Sequence, residues 1–128
     1  MPIGSGNFDR APYYPIDIAV DDQFVYWTDD QALTFTADRP IAAVYKMPLE
    51  GGPPTAIATN LESAFAIAVA GGRVYWANPI GGTLMTASTD GRVQKLLARG
   101  LDPGRLILDG AYVYWTNAHS IMRAPLDP

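Results

Sequence analysis

The sequence repeats one short aromatic pattern three times, and this repeat constrains the fold more than any other feature. The copies align without gaps over residues 18–29, 67–78 and 106–117, at offsets of 49 and 39 residues. Every tryptophan of the 128-residue chain occupies the same column of this alignment, namely Trp27, Trp76 and Trp115. A period of roughly 40 residues predicts that each copy builds the same small unit and that the units stack on one another.

Each copy has the pattern of four short antiparallel strands. The strand segments are rich in aromatic and β-branched residues, and glycine-containing turns separate them. Glycine supplies the positive φ that tight hairpin turns require. In the second copy the four segments occupy residues 66–69, 74–77, 84–87 and 93–98. The fourth segment does not recur in the third copy, for which we therefore expect three strands.

Large side chains occupy both faces of the second strand. In Val74-Tyr75-Trp76, successive side chains point to opposite faces, so the sheet must be covered on both sides. Stacked blades of a β-propeller provide such cover, and the period fits one blade. A β-sandwich would explain the strands but not the period. The predicted fold is all-β, with β-propeller blades of four antiparallel strands, about three blades, which is half a propeller.

Three tetrapeptides resemble a known repeat, the YWTD motif. They are Tyr26-Trp27-Thr28-Asp29, Tyr75-Trp76-Ala77-Asn78 and Tyr114-Trp115-Thr116-Asn117. Residues 122–127 are similar to the third-strand pattern of that family, and residues 101–103 resemble the leucine and proline that precede the next blade. YWTD repeats build the six-bladed propellers of the low-density lipoprotein receptor family and of many bacterial proteins. The resemblance therefore implies a six-bladed ring, of which this chain supplies three blades.

The repeat divides the chain into a leading segment and three blades. We predict a possible latch strand within 1–15, a first blade at 16–64 with a hairpin insert at 30–43, a second at 65–103 and a third at 104–128. Three blades leave apolar sheet faces and a strand edge open for association. Two copies could close a six-bladed ring as a two-fold homodimer, or the missing blades could belong to a longer chain.

The repeat itself supplies most of the candidate structural residues. Its aromatic side chains are predicted to pack between blades, because tyrosine and tryptophan bury large areas while keeping one polar atom for a partner. These residues are Tyr26, Trp27, Tyr75, Trp76, Tyr114 and Trp115. The residues that close the motif are predicted to cap their own turns, as aspartate and asparagine commonly do, namely Asp29, Asn78 and Asn117.

Two segments outside the repeat are candidates for binding or for the interface. Phe8 lies where a latch strand would complete the third blade of a partner copy, and Tyr13 and Tyr14 precede the first strand. The insert of the first blade carries Leu33 and Phe35 in an alternating pattern. It is interpreted either as an elongated hairpin that assists self-association or as a loop that binds a ligand or partner.

Few residues have the chemistry of a reactive site. Asp29, Asp30 and Asp38 could supply oxygen ligands to a hard cation, but no spacing motif supports such a site. His119 is the only histidine, and no nucleophile is placed in a recognisable pattern beside it. No catalytic, cofactor-binding or metal-binding residue is therefore predicted, and no cofactor.

Six-bladed lactonases and phosphotriesterases resemble this chain in blade design and hold a metal with acids and amides at the central channel. At the corresponding positions this chain has Asp17, Ala66 and Arg105, of which only the first could serve. We therefore lean against an enzyme, without excluding one.

Charge and hydropathy limit the kinds of partner that the chain can bind. The formal net charge of -4 argues against nucleic acid, which needs a basic surface. No apolar stretch approaches the ~18 residues of a membrane helix. The first residues lack the pattern of a secretory signal. We therefore expect a soluble protein, and the sequence does not indicate its compartment. The favoured function is a non-catalytic binding or scaffold module that self-associates. The alternatives are a metal-dependent lactonase-like or esterase-like hydrolase, and a carbohydrate-binding propeller that stacks sugars on Tyr13 and Tyr14.

Overall fold

The computed structural model describes residues 14–30, 42–99 and 104–126, and every regular element in these ranges is a β-strand. The strands are β1 (Pro15–Val20), β2 (Phe24–Asp30), β3 (Ala42–Pro48), β4 (Thr55–Leu61), β5 (Ile67–Ala70), β6 (Arg73–Asn78), β7 (Thr83–Ser88), β8 (Gln94–Arg99), β9 (Leu106–Leu108), β10 (Tyr112–Asn117) and β11 (Ser120–Pro125).

The strands form three antiparallel sheets in chain order. The first sheet is β1-β2-β3-β4, the second is β5-β6-β7-β8, and the third is β9-β10-β11 within the described part of the chain. Each sheet is a simple meander in which neighbours in sequence are hydrogen-bonded neighbours. The predicted class is confirmed: the fold is a partial β-propeller of about three blades.

The three sheets share one register around the tryptophan. Trp27 lies opposite Ile18 on β1 and opposite Tyr45 on β3. Trp76 lies opposite Ile67 and Met85, and Trp115 lies opposite Leu106 and Met122. The sheets are therefore structural copies of one unit, as the sequence alignment requires.

The first strands of successive sheets lie next to one another. β1 contacts β5, and β5 contacts β9. The sheets therefore stack face to face, with their first strands along a shared inner edge, which is the arrangement of propeller blades.

The core lies in two layers between the sheets. Tyr26 of the first sheet and Trp76 of the second belong to the first layer, and Tyr75 and Trp115 belong to the second. Tyr26 and Tyr75 thus face the following sheet, and Trp76 and Trp115 face the preceding one. Fully burying one large apolar side chain stabilises a fold by about 1.5–3 kcal/mol, so these layers supply much of the stability.

One turn of the second sheet fits closely against the first sheet. Gly91, in the turn between β7 and β8, has a φ of +79°, which other residues rarely adopt. A Cβ at this position would lie 3.1 Å from the carbonyl oxygen of Ile57 on β4. Glycine is therefore required in this predicted turn for two reasons, namely the backbone conformation and the close approach of two blades.

Candidate functional site

The outer face of the third sheet has no neighbouring sheet among the described residues. Tyr114 lies opposite Ile107 and Arg123, and Thr116 lies opposite Ile121, so all five side chains share one face. Tyr112 lies on the same face as Tyr114, because side chains two residues apart on a strand point the same way. We call this surface the third-sheet face: Ile107, Tyr112, Tyr114, Thr116, Ile121 and Arg123.

This face is apolar and open. Ile107 is 66% exposed and Ile121 is 80% exposed, and an apolar groove runs between them beside Tyr114. The guanidinium of Arg123 lies 4.3 Å from the ring centroid of Tyr112. The Tyr112 and Tyr114 rings are tilted against each other with their centroids 6.1 Å apart. These ring contacts orient the Tyr112 and Tyr114 side chains on a face that no described sheet covers.

The equivalent face of the second sheet is covered. Leu84 occupies the position of Ile121 in the repeat, and Tyr75 occupies that of Tyr114. Both are buried against the third sheet in the second core layer. The third-sheet face is therefore a sheet-packing surface that no described sheet covers.

The opposite end of the stack is the outer face of the first sheet. Its residues are Ile18, Val20, Val25, Trp27, Tyr45 and Met47, which we call the first-sheet face. Ile18 is 66% exposed and Val20 is 59% exposed. Trp27 is buried with Val25 and Met47, and its ring stacks on Tyr45 with the centroids 5.5 Å apart. Trp27 and Tyr114 thus differ from the other repeat aromatics, because neither packs between two described sheets.

Polar contacts join the first and second sheets along the inner edge. One carboxylate oxygen of Asp17 accepts the Ile67 amide at 3.0 Å, and the other accepts the Ile18 amide at 2.9 Å. Asp30, which is buried, accepts the Ala64 amide at 3.2 Å. The hydroxyl of Thr28 donates to the carbonyl of Phe65. The two sheets are held by hydrogen bonds as well as by apolar packing.

The predicted turn-capping residues make different contacts in the three copies. The side-chain oxygen of Asn78 accepts the Gly81 amide at 3.1 Å, within its own turn, and also contacts the buried Ser63 hydroxyl. The oxygen of Asn117 accepts the amide of the next residue at 3.0 Å. Asp29 instead accepts the Tyr14 amide at 3.0 Å, across the sheet from its own strand. The turn that follows Asp29 lies outside the described residues.

Burial affects two titratable groups near these contacts. Desolvation of the buried Asp29 carboxyl raises its pKa, although the hydrogen bond from the Tyr14 amide acts in the opposite direction. Burial also raises the pKa of Tyr26, and the carboxylate of Asp21, which accepts the Tyr26 hydroxyl at 2.7 Å, adds to that effect. Both groups belong to the packing of the first sheet.

The remaining sequence candidates are not gathered into one site. Tyr14 is half-buried at the start of β1, and His119 is exposed in the turn between β10 and β11. Within 14–30, 42–99 and 104–126, no three histidine, cysteine, aspartate or glutamate residues are grouped to hold a metal ion. In those same ranges no helix is long and apolar enough to cross a membrane. Four predicted residues lie outside the described residues: Phe8, Tyr13, Leu33 and Phe35. Asp38 is also outside them.

The sequence prediction missed the polar link between sheets. Ser63 is fully buried, accepts the Ile80 amide at 3.0 Å and contacts Asn78. For Asp17 the sequence predicts at most the role of a channel ligand. The sequence feature that indicates the role of Asp17 is its position immediately before the first repeat column, because a carboxylate there can reach an amide of the next blade.

Solved structures with this fold include other propellers. A chain of the nidogen–laminin complex matches with a TM-score of 0.74 and 26% identity, over 88% of this chain and 44% of that one. Virginiamycin B lyase from Staphylococcus aureus matches with a TM-score of 0.64 and 13% identity, over 90% and 42%. Glutaminyl cyclase from Myxococcus xanthus matches with a TM-score of 0.57 and 10% identity, over 91% and 50%.

These likenesses define the kind of fold and its extent. The described structure is about three blades of a YWTD-type propeller. The chain spans about half or less of the length of each solved structure reported above. The likeness to the lyase and to the cyclase concerns the fold alone. No protein-family model matches the chain, and a search of the curated proteins gave no match.

Proposed function

We propose that this chain is a non-catalytic propeller module that acts through association at its third-sheet face and its first-sheet face. In this proposal a second copy covers both faces, and the pair forms a two-fold ring of six blades. The observation that carries it is the third-sheet face, where Ile121 is 80% exposed although its repeat equivalent Leu84 is fully buried by the next sheet.

The geometry of the pair follows from the stacking already present. No described sheet packs on the Trp27 side of the first sheet, where Ile18 and Val20 are exposed although Trp27 itself is buried. No described sheet packs on the Tyr114 side of the third sheet. The two existing joints each set a tyrosine face against a tryptophan face. A third-sheet face against the first-sheet face of a second copy repeats that joint, and a two-fold axis produces it twice.

Exposed apolar surface also supports association. Ile107 and Ile121 on the third-sheet face are each more than half exposed, and so are Ile18 and Val20 on the first-sheet face. Contiguous apolar surface on a sheet face is typical of an interaction site. Further blades of a longer polypeptide would cover the same two faces, so the solution mass of this chain alone distinguishes the two occupants.

The test is the mass of the chain in solution, measured by light scattering over a range of concentrations. Ile121→Glu places a charge on the third-sheet face and is expected to shift the dimer to monomer. Ile80→Glu is the matched control, because Ile80 is also exposed but lies in the turn between β6 and β7, away from both faces. A monomeric wild type, or an Ile121→Glu variant that dimerises like the wild type, would overturn the proposal.

A further inference from the structure

One column of the repeat changes charge along the chain. It holds Asp17 in the first copy, Ala66 in the second and Arg105 in the third. We propose that Arg105 of one copy pairs with Asp17 of the second copy at each joint of the ring. This inference rests on the proposed dimer and adds an ionic contact that aligns the inner edges of the two copies.

The first step is the contact that Asp17 already makes. Its carboxylate spans the inner edge, with one oxygen on its own neighbour Ile18 and the other on Ile67 of the next sheet. The residue in this column therefore reaches the first amide of the following blade. Ala66 has no side-chain group that could do so, and the joint between the second and third sheets buries the apolar cluster of Tyr75, Leu84 and Trp115.

The second step transfers this geometry to the open joint. Arg105 stands in the same column as Asp17, and the residue equivalent to Ile67 at the start of the next blade is Ile18 of the second copy. The Ile18 amide is already bound by the Asp17 carboxylate at 2.9 Å. The guanidinium of Arg105 would therefore approach that carboxylate. Arginine cannot accept a hydrogen bond from an amide, but it binds a carboxylate well.

The third step is the placement of Arg105. Its side chain is exposed and lines the groove of the third-sheet face. Its amide donates to the hydroxyl of Thr116 at 3.0 Å, which fixes the backbone beside β10. A Cβ at the preceding Gly104 would lie 2.6 Å from the same hydroxyl, so the chain here is closely packed. Arg105 forms no ion pair with any residue in the described ranges.

The test is a double-mutant cycle on the dimer dissociation constant, using Arg105→Gln and Asp17→Asn. Asparagine keeps one oxygen that can accept the Ile67 amide, so the contact between the first and second sheets is retained while the contact with the Ile18 amide is given up. A partly exposed ion pair is expected to change affinity about 3-fold, and the symmetric dimer contains two pairs, so each single variant should raise the Kd about 10-fold. The double variant should be no weaker than either single variant, and the salt dependence of dimerisation should decrease.

Arg105→Glu provides a measurement that does not depend on the folding of the Asp17 variant. Against a carboxylate it should raise the Kd further than Arg105→Gln does, whereas equal effects of the two substitutions would overturn the ion pair. A wild-type dimer with strictly additive variants would overturn this inference and leave the proposed dimer standing. A wild-type chain that stays monomeric would overturn both.

Discussion

The repeat offers an internal comparison of a covered and an uncovered position. Leu84 and Ile121 occupy the same place near the start of the third strand in consecutive blades. Leu84 is fully buried between the second and third sheets, and Ile121 is 80% exposed. Replacing each with alanine therefore removes a similar side chain from two environments, one covered by a described neighbouring sheet and one not.

The structure gives the size of each effect. A buried leucine replaced by alanine loses its transfer free energy and leaves a cavity, which together cost about 2–5 kcal/mol. An isoleucine that is mostly exposed loses little, and Ile121→Ala should lower the free energy of unfolding of the single chain by less than about 0.5 kcal/mol. If a second copy covers Ile121, the same substitution should also weaken the dimer by roughly 1–3 kcal/mol for each joint.

The assay is urea unfolding followed by tryptophan fluorescence, at one protein concentration below the dimer dissociation constant and one well above it. Leu84→Ala should lower the free energy of unfolding by a large amount at both concentrations. The cost of Ile121→Ala should be small at the lower concentration and should increase at the higher one. Equal costs for both variants at the lower concentration would refute the reasoning, because they would mean that the third-sheet face is covered within one chain.

Two further substitutions test the polar contacts. Burial holds the folded-state pKa of Asp29 above its ordinary value, so its stabilising contribution is present at low pH and is lost as the pH rises through the folded-state pKa. Asp29→Asn keeps an oxygen for the Tyr14 amide but carries no charge. In unfolding curves, the free energy of unfolding of this variant relative to the wild type should be higher at pH 7 than at pH 3. The same difference at both pH values would contradict this. Ser63→Ala should lower the free energy of unfolding by about 1–3 kcal/mol, because it removes the acceptor of the Ile80 amide and the hydroxyl that contacts Asn78. Ser88→Ala, where the hydrogen bonds are solvent-exposed, should cost less than about 1 kcal/mol by the same denaturation measurement, and equal losses would argue against the buried contact.

The strands could be predicted from the sequence because each copy carries its own turns. The segment expected at 66–69 is observed as β5, Ile67–Ala70, and the segment expected at 93–98 is β8, Gln94–Arg99. Glycine turns and strand alternation are local signals, and three copies of one pattern reinforce one another. The fold class therefore follows from local chemistry that recurs at offsets of 49 and 39 residues.

The contacts between blades could not be read from the pattern. Alternation shows that Tyr75 and Trp76 point to opposite faces, but it does not say which neighbouring sheet each one meets. The bond from Asp17 to Ile67 joins residues 50 positions apart and depends on how the blades stack. Asp29 binds the Tyr14 amide rather than a described turn, because β1 begins beside it. Such contacts require the tertiary arrangement.

The mass of the chain in solution tests the central claim most directly. Sedimentation equilibrium over a range of micromolar concentrations should show a reversible approach to twice the 13.8 kDa of one chain. The Ile121→Glu variant should remain at the single-chain mass over the same range. A wild-type mass of 13.8 kDa at every concentration would contradict the account, because no second copy would then cover the exposed residues of the third-sheet face.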